Sequence, residues 1–246
     1  MREYLVVLSM SKGTLYLIPV PLAEAAEQAS YTAFHKQLIE EIDEYVVENE
    51  KTARRFLKLA GRTKPQSELI IHDYGKHVRD KVDYNHIFRS AQQGKDIGLM
   101  SDAGCPGVAD PGAEVVAEAH KRGIRVVPLV GPSSILLALM ASGFSGQKFA
   151  FHGYLPIDKA DRSRKLKDLE SQSAKEKQTQ IFIETPFRNN VLFEELLKHC
   201  KPQTKICVAC NLTAEDEMVM TRSVSDWKQQ QVDLHKKPTI FLIYTQ

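Results

Sequence analysis

The amino-acid sequence predicts an α/β protein of two α/β domains, the first built on a mainly parallel sheet and the second on a mixed one. Short β-branched or apolar runs alternate with helical patterns from end to end, the layout of an α/β architecture. The 246 residues amount to about one and a half domains at roughly 150 residues each. The last three apolar runs have only short connections between them, too little for the crossover a parallel pair needs.

In order, strands are expected near Thr14 to Val20, Glu44 to Val47, Glu68 to His72, Ile97 to Ser101 and Ile124 to Pro128. A second series follows at Lys148 to Tyr154, Thr179 to Glu184, Lys205 to Cys210, Met218 to Arg222 and Thr239 to Tyr244. Asp110-Pro111 ahead of Gly112 to Ala119 reads as an N-cap aspartate and a proline in the first helical position, with Gly123 closing the far end. Pro132-Ser133-Ser134 opens the next helix, Ile135 to Ser142, which is apolar all round and so expected to be buried. Ser171 to Gln178 reads as a helix end and an exposed turn. The boundary is expected near Leu129 to Pro132, giving domains 1–130 and 131–246.

Hydrophobic residues make up 43% and charged residues 26%, a globular balance that excludes collagen-like, coiled-coil and disordered chains. No apolar run approaches the roughly 18 residues of a membrane span. The start, Met1 to Leu8, is too short for the apolar region of a secretory signal. A cytoplasmic protein without a membrane partner is expected. Thirty-three basic against thirty-one acidic residues do not by themselves advertise nucleic-acid binding. Cys207 and Cys210 are three apart in a predicted strand, so their thiols point to opposite faces. No second close pair completes a tetrahedral site, and no metal is expected. His72, His77 and His86 show no convincing ligand spacing with a carboxylate.

The densest functional signal is Gly98 to Gly112, where a strand enters a loop rich in glycine, proline and aspartate and a helix starts at its end. Open α/β sheets bind ligands at such strand ends, and glycines let backbone amides approach a ligand closely. It matches neither the phosphate loop nor the dinucleotide fingerprint, and a rigid connecting turn would leave the same trace. Val126 to Ser134 repeats strand, tight turn and helix start. Ser133 there is either a ligand contact or simply a cap.

Together these clusters resemble the tetrapyrrole-methylase superfamily of S-adenosylmethionine-dependent methyltransferases. Within it, the chain is most similar to the branch that methylates a cytidine ribose 2′-hydroxyl in small-subunit ribosomal RNA. The resemblance is carried by Gly13 to Pro21, Ser101 to Gly112, Val126 to Gly143, Gly153-Tyr154-Leu155-Pro156 and Phe182 to Arg188. It implies a cofactor cleft between the two domains, a homodimer, and S-adenosylmethionine as cofactor. On matching positions it implies cofactor contacts at Pro21, Leu22, Asp102, Ala103, Gly104, Cys105, Val108, Ser133, Ser134, Glu184, Asn211, Leu212, Pro238 and Thr239. It also implies ribosomal RNA or the small ribosomal subunit as a partner.

The departures from that branch are Leu22-Ala23-Glu24-Ala25 in place of Ile-Gly-Asn-Leu, Glu48-Asn49-Glu50-Lys51 in place of Glu-Asp-Thr-Arg, and Cys210 to Ala214 in place of Arg-Glu-Leu-Thr-Lys. They leave open methylation of a small molecule such as a tetrapyrrole, and a cofactor-binding module without turnover. Methyl transfer to a ribose hydroxyl needs in-line orientation, and a base or a stabilised alkoxide. Asp102 and Glu184 are the candidate catalytic acids, set against the plain readings that Asp102 only holds loop amides and that Glu184 pairs with Arg188. Lys159, Arg162, Arg164 and Arg188 are the candidate substrate contacts. A further basic stripe, Lys51, Arg54, Arg55 and Lys58, repeats at helical spacing.

Overall fold

The computed structural model describes residues 11–24, 26, 30–75 and 82–245. The run Met1 to Leu8, Ala25 and His77 lie outside the described residues. Two compact units emerge: Ala26–Pro132 with the segment up to Pro21, and Ser133–Gln246 with Leu22–Ala25. Among the described residues no helix is long and apolar enough to cross a membrane.

The first unit is a five-stranded sheet in the order β3-β2-β4-β1-β5, in which every pair is parallel. Its strands are β1 (Thr14–Leu17), β2 (Glu44–Val47), β3 (Ile70–Asp73), β4 (Ile97–Met100) and β5 (Arg125–Pro128). The central strands are apolar on both faces because both faces are covered. Tyr45 and Val47 pack on one side with α1 (Ala33–Glu41) and α2 (Glu50–Leu59), through Leu38, Ile39, Phe56 and Leu57. Val46 and Leu99 pack on the other side with Phe88, Val115 and Ala119. Three more helices are among the described residues of the unit: α3 (Tyr84–Ile87), α4 (Arg89–Gln92) and α5 (Ala113–Lys121). Gly98 is required where the Tyr45 ring lies over β4, since a Cβ there would sit 2.5 Å from the ring.

The second unit has five strands in the order β6-β7-β10-β8-β9. They are β6 (Phe149–Tyr154), β7 (Thr179–Ile183), β8 (Lys205–Cys210), β9 (Met218–Ser223) and β10 (Thr239–Tyr244). Only β6 and β7 run parallel; the other three pairs are antiparallel. Against one face lie α7 (Lys159–Glu176), α8 (Asn189–His199) and α9 (Val224–Trp227), which contribute Leu166, Leu169, Leu196 and Trp227 to the core beside Phe182 and Phe241. Against the other lies α6 (Ser134–Ser142), whose Ile135, Ala138 and Leu139 pack with Ile181, Cys207 and Leu242.

All ten strands form where the sequence predicts them, one sheet parallel and the other mixed. The differences are local. The first strand ends at Leu17, and Val20 instead bridges Gly104. The third begins at Ile70 after a 3-10 turn, Gln66–Glu68. The helix after the glycine loop starts at Ala113, with Gly112 as its N-cap at φ 129°. Asp110 and Pro111 are therefore loop residues, held out of the helix by a conformation only glycine adopts readily. Helix α6 is not buried all round: Leu136 is 51% and Met140 80% exposed.

Candidate functional site

In the first unit the sheet topology brings three segments together at the carboxyl ends of adjacent strands. After β1, Val20 exchanges both backbone hydrogen bonds with Gly104, at 2.9 and 2.8 Å. After β5, the Leu129 amide donates to Leu17, and Gly131 lies so close to Pro19 that a Cβ would fall 2.3 Å from its ring. The Cys105 thiol donates to the Pro132 carbonyl at 3.4 Å. Pro21 thus follows directly on the bridge to the loop holding Asp102, Ala103, Gly104, Cys105 and Val108.

The loop is held internally. Ser101 Oγ donates to the Ala103 carbonyl, the Gly107 amide to Pro111, and the Val108 amide to Cys105. Gly104, Gly107 and Gly112 all have positive φ, as does Ala109. Among the described residues, the amides of Ala103 and Cys105 have no backbone acceptor. Two donors on a glycine-rich turn suit an anionic or carbonyl group of a ligand. Asp102 is accessible, yet partial desolvation raises its carboxyl above the usual carboxylate range, against a Thr52 hydroxyl hydrogen bond that lowers it.

In the second unit Glu184, Asn211, Pro238 and Thr239 fall at one end of the sheet, where β7 and β8 finish and β10 begins. The Asn211 amide donates to the Pro238 carbonyl, and its carboxamide donates to Asp216 at 2.7 Å. Asn211 has φ 50°, a left-handed conformation asparagine tolerates. Leu212 is buried in the cluster that also holds Ile135 and Leu22. Buried Asn189 ties this end together by donating to the Lys237 carbonyl at 2.7 Å. Ser133 sits at the N-cap of α6 without a side-chain cap bond, so capping does not account for it.

Several site expectations need correction. Glu184 is buried, its side chain 1% exposed, and it accepts from the Thr185 amide at 2.6 Å and from Arg188 Nη2 at 2.5 Å. It is a clamp on its own turn and not a base facing a substrate, and Arg188 gives one nitrogen to the same pair while its side chain stays 34% exposed. Arg162 is also buried. It holds Glu195 and the carbonyls of Pro156 and Ile157, so it has no free face for a phosphate. Lys159 and Arg164 remain exposed. His72 is a satisfied core histidine, its Nε2 lying 2.8 Å from Glu44 Oε1 with both residues buried.

Cys207 and Cys210 do point into opposite cores, and burial pushes the Cys207 thiol up to about 11. Among the described residues no group of three or more His, Cys, Asp or Glu is arranged to hold a metal. A cavity of about 290 Å³ opens on the core face opposite α6, lined by Cys210, Met218, Met220, Val232 and Lys237 among others.

Sequence reasoning missed Glu48 and Thr52, which both reach Asp102. The available signal was that Glu48 directly follows the predicted strand Glu44 to Val47.

This arrangement of two sheets, with a glycine-rich loop at the end of β4, matches a known family. The model of the tetrapyrrole (corrin/porphyrin) methylases matches residues 15–227, and the chain belongs to that family. It is an S-adenosylmethionine-dependent methyltransferase. Relatives named ribosomal RNA small subunit methyltransferase I include that of Synechocystis sp., 29% identical over 205 residues, which are 83% of this chain and 69% of the relative. Those of Halalkalibacterium halodurans and Escherichia coli O157:H7 are 32% and 27% identical, over 76% and 95% of this chain and 60% and 78% of their own lengths. Among solved structures, the methyltransferase CobJ has a TM-score of 0.60 at 17% identity, covering 95% of this chain and 94% of its own. Uroporphyrin-III-C-methyltransferase from Thermus thermophilus has a TM-score of 0.56 at 18% identity, with the same coverage. At that identity the two structures speak for the fold alone.

Proposed function

We propose that this chain methylates a ribose 2′-hydroxyl in RNA of the small ribosomal subunit, in the cytoplasm, by direct displacement from S-adenosylmethionine. The observation that carries the reading is the intact Ser101 to Gly112 loop, in a chain whose relatives are named ribosomal RNA small subunit methyltransferase I. S-adenosylmethionine supplies an electrophilic methyl group. The amides of Ala103 and Cys105 are donors suited to its polar groups. Asp102, partly desolvated with a raised carboxyl pKa, suits an acid that orients or accepts a proton from a hydroxyl. In the second unit Ser133, Ser134, Asn211, Leu212, Pro238 and Thr239 remain the candidate cofactor contacts.

The altered residue Asn49 has a local role, which weighs against a module without turnover. Asn49 caps α2 by accepting from the Thr52 amide at 3.1 Å, a task for which asparagine and aspartate serve equally at an N-cap. Lys159 and Arg164, exposed at the start of α7, suit a phosphate backbone. The exposed Leu136 and Met140 on α6 suit a homodimer contact.

The test is incubation with tritiated S-adenosylmethionine and small ribosomal subunits from a strain lacking the protein. Label in ribose of one cytidine is expected; label absent from RNA, despite donor binding by calorimetry, overturns the acceptor.

A further inference from the structure

Two side chains from the turn that joins β2 to α2 grip the same loop residue from different sides. Glu48 Oε2 accepts from the Asp102 amide at 3.4 Å. The Thr52 hydroxyl lies beside the Asp102 carboxyl and opposes the rise in its pKa that desolvation causes. Neither contact is an accident of a mobile surface. Glu48 follows Val47, which is paired with Met100 in register, so the ends of β2 and β4 leave the sheet side by side. The Glu48 carbonyl is packed against Gly75, where a Cβ would meet it at 2.7 Å, and the Tyr74 amide donates to Val47 at 2.7 Å. Thr52 is fixed from its own side because its amide donates to Asn49 Oδ1 at 3.1 Å.

We propose that Glu48 and Thr52 are positioning residues for the methyl-donor loop: Glu48 sets the backbone of Asp102 and Thr52 sets its carboxylate. This rests on the reading that the Ser101 to Gly112 loop holds the donor. The Asp102 amide is one of the loop's polar groups, and fixing it before the donor arrives removes an ordering cost from binding. With the amide and the carboxylate both held, Asp102 enters the reaction in one orientation. Loss of either grip leaves the loop chemistry intact but its geometry loose, and a small displacement at such a site is felt strongly.

The experiment compares Glu48→Ala and Thr52→Val with the conservative Glu48→Gln, which keeps an acceptor, and Thr52→Ser, which keeps the hydroxyl. Hydrogen exchange of the peptide spanning 101–112 reads positioning without any donor, and calorimetry with S-adenosylmethionine reads the donor. Both disruptive variants are expected to quicken exchange of the Asp102 amide and its neighbours by about tenfold. They are also expected to weaken donor affinity roughly tenfold, the scale of one charge-assisted hydrogen bond. The KM for donor should rise while the KM for the RNA acceptor stays unchanged, and both conservative variants should recover most of the loss. In an Asp102→Ala background, Thr52→Val should add nothing further.

Exchange that stays at the wild-type rate in both disruptive variants overturns the proposal even where the donor binds. So does a Thr52→Val effect that persists undiminished without the Asp102 carboxylate. A wild-type chain that takes up no donor but loosens in these variants removes the donor reading of the loop and leaves the positioning in place.

Discussion

The Arg162 guanidinium grips the Glu195 carboxylate through two bonds, Nε to Oε2 at 2.5 Å and Nη2 to Oε1 at 3.0 Å, with each side chain 8% exposed. The pair joins α7 to α8, and a third nitrogen caps the carbonyls of Pro156 and Ile157. The Arg162 hydrogen bonds hold the Glu195 carboxyl below the usual range despite its burial. Arg162→Ala leaves a buried carboxylate without its partner and should cost about 3–5 kcal/mol, read from urea unfolding. Arg164, which meets Asp161 only at 3.3 Å and is 73% exposed, provides the contrast: Arg164→Ala should leave the midpoint nearly unchanged.

The buried Glu44 and His72 pair should make the first unit sensitive to acid. Burial alone would raise the Glu44 carboxyl, but hydrogen bonds from His72 and Ser90, with the charge of Lys95, outweigh it and hold it below the ordinary 4.5. A carboxylate with a depressed folded pKa contributes stability above its unfolded value and loses it as pH falls through the folded one. Stability should therefore decline below about pH 4.5, and Glu44→Gln should flatten that part of the curve. An equally steep acid limb in the variant, followed by denaturant midpoints from pH 6 down to pH 3, would remove the pair as its cause.

The elements were legible because their patterns are local. Runs such as Thr239 to Tyr244 alternate between two cores, and glycines and prolines punctuate the rest. The pairs were not legible, because Glu44 and His72 lie 28 residues apart and Glu48 and Asp102 lie 54 apart. Only the parallel order of β2 between β3 and β4 makes them neighbours. Arg162 was misread as one cation in a basic run, although a signal existed: it shares a helical face with Leu166, Leu169 and Ser173, all fully buried. Leu136 and Met140 are likewise four apart on one exposed face of an apolar helix, which composition alone does not separate from its buried face.

Gly104 offers a test of the donor loop. Its φ is 73°, and its amide and carbonyl both bond Val20. A β-branched residue is strained at that φ, so Gly104→Val should lower stability by about 1–3 kcal/mol and abolish donor binding together. Thermal unfolding with and without S-adenosylmethionine separates the two effects: the wild type should gain stability from the donor and the variant should gain none. Equal donor-induced shifts in both proteins would take the loop out of the donor site.

If the exposed start of α7 meets the RNA backbone, its cations should appear in the salt dependence of binding. Each phosphate neutralised contributes roughly 0.9 to the slope of log affinity against log salt for duplex nucleic acid and about 0.7 for single strands. Lys159→Ala with Arg164→Ala should therefore reduce the slope by between about 1 and 2 and weaken binding to small ribosomal subunits at low salt, while donor affinity stays constant. Lys148 is the control, because its ammonium is held by Glu176 at 2.6 Å, and Lys148→Ala should leave the slope where it was. A slope unchanged in the double variant would move the RNA contact away from α7, and the stripe of Lys51, Arg55 and Lys58, exposed on α2, would be the next surface to neutralise in the same assay.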